Sequence, residues 1–349
     1  MNIKIRFAII GTGMIAERHA AALAEIPEAE LYGVYDKNTR RAGEFAGKHQ
    51  AKAYKTFDEL LDDPRLTAVT IAAPTGVHKE IAVPCAEAGK HILCEKPLDT
   101  TLAKADAIIA ACNKNGVCLS AVFQARFSDK VKLIKEATET GRFGRLLLCS
   151  AQVKWYRSQE YYDSAGWRGT WALDGGGALM NQSIHIIDLL LYLAGEPEMV
   201  HAFTGTLTHE RLEVEDTACA SVKFKNGALG VIEASTSCAP GFPRRLEISG
   251  EKGSVVLEDD IITRWQFVDE LPEDEIIRSG QSGAGLKSGA GDPRGGSHEG
   301  HRRQLLDLIN AINNKRRPSI PGSEGRRAIE LICGIYESAK TGKTVRFTS

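Results

Sequence analysis

Lys96 and His185 are the two residues in this chain whose types and settings best suit moving a proton. In "HILCEKP", Lys96 follows an apolar run and precedes a proline, which places it at the edge of a sheet rather than on a solvated helix face. An ammonium there can polarise an oxygen and relay its proton, the more readily if partly desolvated beside a cationic ring. In "GGGALMNQSIHIIDLLLYL", Asn181, His185 and Asp188 fall at i, i+4 and i+7 of a predicted helix that is otherwise apolar all round. An imidazole can take or give a proton near neutral pH. The Asn181 amide can donate and accept hydrogen bonds to a hydroxyl but cannot take its proton. Spacing alone leaves two readings of His185 open, a catalytic acid/base or a core histidine paired to Asp188. A metal site is disfavoured, because His185 with an amide and one carboxylate is a poor ligand set. The glycines at 175–177 weigh toward a site, since they let another group approach the backbone closely.

Such groups need a partner that carries electrons, and the N-terminus supplies a motif for one. "IRFAIIGTGMIAERHA" sets Gly11-Thr12-Gly13-Met14-Ile15-Ala16 between an apolar strand and a helix. Gly11 allows the tight turn, Gly13 lets backbone approach a pyrophosphate, and Ala16 permits close helix–sheet packing. The next strand, "AELYGVYD", ends in Asp36, where an acid binds a ribose 2′-hydroxyl. That charge favours NAD over NADP, although Arg40 and Arg41 just beyond could offset a 2′-phosphate and keep NADP open. On the substrate side, Gln124 and Arg126 in "AVFQARF" and Tyr156, Arg157, Trp167 and Arg168 in "WYRSQEYYDSAGWRGTW" combine rings with guanidinium groups. Such a set suits a sugar face and an anionic substituent, or equally a loop that buries its aromatics against a sheet.

The elements around these residues predict an α/β protein of two domains. Over 1–122, apolar strands alternate with amphipathic helices, the pattern of a doubly wound, parallel Rossmann sheet with ligands at its carboxyl edge. Over 123–349, period-two strands with turns at Asn226-Gly227 and Lys252-Gly253 predict an open, largely antiparallel sheet with one face covered. Residues 279–297 are rich in Gly and Ser and predict a mobile loop. A helix with Leu305, Leu308, Ile309 and Ile312 on its stripe comes next, and another spans about 323–340.

Composition narrows the partners. The 349 residues carry 44 Lys plus Arg against 45 Asp plus Glu, so no net field draws in nucleic acid or anionic lipid. No run is long enough to span a membrane, and the N-terminal apolar run is too short for a signal peptide. The eight cysteines form no C-x-x-C pair and read as reduced, mostly buried thiols of a cytoplasmic protein.

Taken in order, the glycine fingerprint, the strand ending Ala73-Pro74-Thr75 with His78 beyond it, Glu95-Lys96-Pro97, the "GGGALMNQSIHIID" segment and His301 resemble the Gfo/Idh/MocA family of NAD(P)-dependent oxidoreductases. The resemblance spans nearly the whole chain. It implies a Rossmann domain followed by an α/β domain whose open sheet mediates a homodimer or homotetramer. It further implies that Ala73, Pro74, Thr75, His78, Glu95, Lys96 and Pro97 line the cofactor, that a cis bond precedes Pro97, and that His185 is the acid/base. The chain departs from the family pattern at Asn181, where an aspartate is usual, so any acid/base role of that aspartate must fall to His185 and Lys96. The expected activity is hydride transfer between NAD(P) and a secondary alcohol of a sugar, cyclitol or nucleotide-sugar derivative. Two alternatives are a glycosidase that oxidises transiently through bound NAD and a cofactor-sensing protein on the same scaffold.

Overall fold

The apolar runs of the N-terminal part become six short strands: β1 (Ile5–Ile10), β2 (Ala29–Tyr35), β3 (Lys52–Ala53), β4 (Ala68–Ile71), β5 (His91–Cys94) and β6 (Leu119–Ala121). They pair in parallel in the order β3-β2-β1-β4-β5-β6, as strand–helix alternation requires. All four residues of β4 are buried, because helices cover both faces of the sheet. The computed structural model describes residues 4–280 and 297–347; the expected mobile loop falls mainly on 281–296, outside the described residues.

Among the described residues there are two compact units, and their boundary differs from the expected division at residue 122. The first unit runs to Gln124 and also takes back His298–Arg326; the second holds Ala125–Ser297 and the chain from Arg327 onward. The reason is burial. Leu305, Leu308 and Ile309 of the Glu299–Asn313 helix share one core with Phe7 and Ile9 of β1, Leu23 of the first helix and Leu93 of β5. Each such side chain removed from water contributes about 1.5–3 kcal/mol. Ala121 N–H then donates to the Ile320 carbonyl at 3.0 Å, which continues the edge of the sheet into the returning segment.

The second unit is built on an eight-stranded mixed sheet. Its strands are β7 (Leu146–Lys154), β8 (Pro197–Gly205), β9 (Thr217–Phe224), β10 (Leu229–Ser235), β11 (Arg245–Gly250), β12 (Gly253–Glu258), β13 (Ile261–Phe267) and β14 (Val345–Arg346). Their order is β13-β12-β11-β7-β10-β9-β8-β14, and only the β7–β10 pair is parallel. The Ile184–Ala194 helix covers one face, over β7 and β11. On strands β7, β8 and β10, Leu147, Leu148, Phe203 and Leu229 are exposed. All eight cysteines are free thiols; four are buried, three are half-buried and Cys219 is exposed. No helix of the described residues is long and apolar enough to cross a membrane.

Candidate active site

At the carboxyl edge of the parallel sheet, β1 ends in Gly11, whose φ is +95° and whose added Cβ would lie 2.7 Å from the Ala72 carbonyl oxygen. Only glycine fits that turn. Gly13, by contrast, has nothing within 4 Å of an added Cβ, so its outer side is open. It precedes the Met14–Ala24 helix without a side-chain cap, which leaves first-turn N–H groups facing outward. Such a terminus suits an anion such as a pyrophosphate. Ile15 is half-buried and Met14 is exposed. Asp36, just after β2, accepts from Thr12 N–H (2.9 Å), Thr12 Oγ1 (2.7 Å) and Asn38 N–H (2.9 Å). Burial would raise its pKa, but these bonds and Arg41 hold the carboxyl below its ordinary value. Arg41 donates to the Thr12 carbonyl at 3.3 Å, whereas the exposed Arg40 is paired with Glu44. Turn, open helix end and fixed carboxylate together fit a dinucleotide.

Further along the edge, Thr75 is buried and Pro74 half-buried in the turn after β4. His78 bridges two strand ends, with Nε2 2.9 Å from the Ala73 carbonyl and Nδ1 2.9 Å from that of Pro97. Both ring nitrogens are thus engaged by the chain itself, so His78 braces the edge instead of presenting a nitrogen to a ligand. The Lys96–Pro97 bond is cis. Half-buried Lys96 directs its backbone N–H to Glu95 Oε2 at 3.2 Å. Glu95 Oε1 meets His19 Nε2 at 2.8 Å and His301 Nε2 at 3.4 Å. Burial would raise the Glu95 pKa, but the two imidazoles hold it well below the ordinary carboxylate range. Donor atoms of these three residues lie within 4.8 Å of one another, close enough to meet a metal ion. Metal-bound imidazoles pass their other nitrogen to a partner, yet Nδ1 of both His19 and His301 is buried without one. The set is a hydrogen-bonded carboxylate, not a furnished metal site.

In the second unit Gly176 and Gly177 serve the fold. An added Cβ on Gly177 would lie 1.8 Å from the Glu215 carbonyl oxygen, and one on Gly176 would lie 2.1 Å from the Tyr336 hydroxyl. The groups that approach so closely belong to the protein. The Glu215 side chain accepts from Gly177 N–H (3.1 Å), Leu179 N–H (2.8 Å) and Tyr336 OH (3.0 Å), while burial outweighs those bonds and pushes its pKa up to about 7. Beyond the glycines comes a π-helical turn over Ala178–Ser183, and only then the α-helix of Ile184–Ala194. The wider turn breaks the simple i, i+4 register expected between Asn181 and His185. π-turns of this kind cluster at functional sites.

Asn181 donates to Asp174, and its carbonyl accepts from Gln182 Nε2 at 2.8 Å. Gln182 reaches the Tyr161 hydroxyl (3.2 Å), which Arg168 also contacts (2.7 Å), and Arg157 donates to Gln182 Oε1 at 3.2 Å. Arg157 and Arg168 both lie over the Tyr161 ring, at 5.5 and 4.3 Å. Burial lowers the Arg157 pKa, and the nearby Arg168 charge adds to the effect. Trp167 stacks under Arg168 at 4.6 Å. No carboxylate among the described residues lies within ion-pair distance of Arg168, and its Nε is buried without a partner. His185 is half-buried two residues after the π-turn, and Tyr156 is exposed.

Two family models match the chain: "Oxidoreductase family, NAD-binding Rossmann fold" over residues 5–123 and "GFO/IDH/MocA C-terminal domain" over residues 131–256. The uncharacterized oxidoreductase YrbE of Bacillus subtilis is 33% identical, over 99% of this chain and 97% of its own. This chain is a Gfo/Idh/MocA protein. The Myo-inositol 2-dehydrogenase of Thermotoga maritima is 29% identical over 98% of both chains. Among solved structures, the WlbA dehydrogenase of Bordetella pertussis, in complex with NADH and UDP-GlcNAcA, is similar with a TM-score of 0.90 and 33% identity, covering 100% of this chain and 99% of that one. As a Gfo/Idh/MocA member the chain is an NAD(P)-dependent oxidoreductase acting on CH–OH groups, with an NAD-binding Rossmann domain.

Within this Gfo/Idh/MocA chain, the structure gathers Gly11, Thr12, Gly13, Asp36, Ala73, Glu95, Lys96 and Pro97 along one sheet edge, and Asn181, Arg157, Trp167 and Arg168 into one network. It turns Arg126 to another task. Its guanidinium holds Asp188 through bonds of 2.8 and 2.6 Å, both residues being buried, so Arg126 is a core cation and Asp188 is engaged by it. Gln124 is half-buried at the end of the first unit, and its Oε1 is without a hydrogen-bond partner. Sequence reasoning missed Asp174, Tyr161, Gln182, Glu215, Tyr336 and His19. Gln182 and Tyr161 lay beside residues already singled out; nothing local pointed to Tyr336.

Proposed function

We propose that the enzyme oxidises, or in reverse reduces, a secondary alcohol on a sugar or nucleotide-linked sugar that also carries an anionic group. The observation that carries this reading is the pair Arg157 and Arg168 stacked on Tyr161, with Arg168 lacking a carboxylate partner among the described residues. Guanidinium groups in such a setting recognise a carboxylate or phosphate through charge-assisted bonds. The similarity to a dehydrogenase bound to NADH and UDP-GlcNAcA supports the same class.

The dinucleotide, when bound, accepts or returns a hydride at its nicotinamide. Gly11, Gly13 and the open end of the Met14–Ala24 helix hold its pyrophosphate, and Asp36 holds its adenosine ribose. Lys96 polarises the substrate oxygen. His185 removes the hydroxyl proton, or supplies it in the reduction, because the Asn181 amide can only orient a hydroxyl. The exposed Leu148 and Leu229, register partners on β7 and β10, support pairing of the open sheet with a second copy of the chain as a homodimer or homotetramer. Free thiols fit a cytoplasmic location.

The test is a substrate panel with NAD and NADP, followed at the NADH absorbance: myo-inositol, levoglucosan, UDP-GlcNAc and its uronic acid, UDP-GlcNAcA. Turnover is expected fastest with the acid. Arg168→Leu should raise its KM roughly 10- to 100-fold, as loss of a charge-assisted bond does, and leave any neutral substrate nearly unaffected. Preference for the neutral sugar would remove the anionic group from the proposal. No hydride transfer to any member would sink the substrate class. For the cofactor, Asp36→Ala should weaken NADH about tenfold and NADPH far less in fluorescence titration. Equal losses would overturn the ribose assignment.

A further inference from the structure

His301 lies far along the chain from the Lys96 edge, yet it returns to that edge on the Glu299–Asn313 helix, whose first turn packs in the same unit. His19 comes from the Met14–Ala24 helix, which packs against that returning helix in the same core. Their rings meet at 5.2 Å, and both Nε2 atoms point at one oxygen of Glu95. The other oxygen accepts the N–H of Lys96. All three side chains are buried. Two neutral Nε2–H donors and one carboxylate satisfy this arrangement, leaving each Nδ1 as a lone pair that needs no partner as a buried donor would. The carboxylate's remaining bond goes to the backbone of the residue that the reaction uses.

We propose that His301 and His19 are positioning residues for catalysis: they fix Glu95, and Glu95 fixes the backbone from which Lys96 reaches the substrate. This role rests on Lys96 being a catalytic residue. Around the group, the charge of Arg18 on the first helix acts on His301, and Cys94 precedes Glu95 at the end of β5. Burial lowers the His301 pKa, more than Glu95 raises it, with Arg18 adding to the lowering. The neutral ring is therefore the folded form. A depressed histidine contributes stability above its unfolded value of 6.5 and loses it as pH falls through the folded value. Glu95, also depressed, acts in the same direction at lower pH.

The test compares His301→Leu, His301→Gln and, as a control on the same segment, His298→Gln, using the fastest substrate of the panel. His301→Leu should lower kcat about 10- to 100-fold, the scale of a small displacement of a reacting group, with the NADH Kd unchanged within about twofold. His301→Gln, whose amide can donate where Nε2 does, should recover most of that loss, and His298→Gln should change nothing. Wild-type melting temperature should fall below pH 6.5 more steeply than that of His301→Gln, which has no proton to gain. If His301→Leu does not fold, His301→Asn, whose amide stops short of Glu95, replaces it. An unchanged kcat, a parallel loss of NADH binding, failure of glutamine to rescue, or one tightly held divalent metal per purified chain would each overturn the inference. Lys96→Ala separates the two claims. If it retains turnover, the catalytic role of Lys96 fails; if it is inactive while His301→Leu is not impaired, only the positioning role fails.

Discussion

Lys96→Ala is expected to lower kcat by about 10²- to 10⁴-fold, the range for removing a positioned acid/base, while the NADH Kd changes little. Separation of the two effects comes from the architecture. The pyrophosphate and ribose are held by Gly11, Gly13 and Asp36 at the ends of β1 and β2, whereas Lys96 follows β5, two strands along in the sheet order. Deleting its side chain leaves Glu95, His78 and the turn intact, because their bonds to that turn run through the Lys96 backbone N–H and the Pro97 carbonyl. Steady-state kinetics and a fluorescence titration on the same preparation decide the matter. Turnover within about tenfold of wild type would reject the assignment of Lys96 as the group that handles the substrate oxygen.

The largest effect on stability is expected from Asp188→Ala. Arg126 is 7% exposed and Asp188 1%, and the two bonds between them hold a guanidinium in the core beside the Tyr192 ring, 4.5 Å away. Removing one partner of a buried pair leaves an uncompensated charge and costs about 3–5 kcal/mol. Replacing both by apolar residues, as in Arg126→Met with Asp188→Leu, should cost much less, because no charge is left behind. Urea unfolding of the single and double variants measures the difference. A loss below about 1 kcal/mol in Asp188→Ala would mean that the pair is solvated in practice. If Arg126→Met instead raised a substrate KM without changing the unfolding midpoint, the residue would return to the substrate side, where its sequence context first placed it.

The parallel sheet and its cofactor edge were legible because their signals are local: a strand, a glycine turn, a helix start and an acid at the next strand end. The family motifs at Glu95-Lys96-Pro97 and around His185 were legible for the same reason. The π-turn was not, since apolar composition does not distinguish an α-turn from a π-turn; it arises where Glu215 and Tyr336 crowd the glycines. Those glycines let another group approach the backbone closely, and the groups that do so come from distant parts of the same chain. Arg126 shows the limit most clearly. An arginine beside an aromatic in a loop sequence suits an anionic ligand, and only the fold brings Asp188 to it. The return of residues 298–326 to the first unit was not legible, because the leucine stripe of the Glu299–Asn313 helix says that it will be buried but not against which sheet.

That late helix also orders events during synthesis. The ribosome releases the whole parallel sheet, and then most of the second unit, before Leu305, Leu308 and Ile309 emerge to cover β1 and the first helix. Until then the nascent first unit carries an uncovered apolar strip and a Glu95 carboxylate with one of its two imidazole donors missing. The core of the N-terminal part is therefore completed by a late stretch of chain, although domains made first usually fold first. A chain that ends before Leu305 leaves that strip in water, a surface of the kind that makes folding intermediates prone to aggregate.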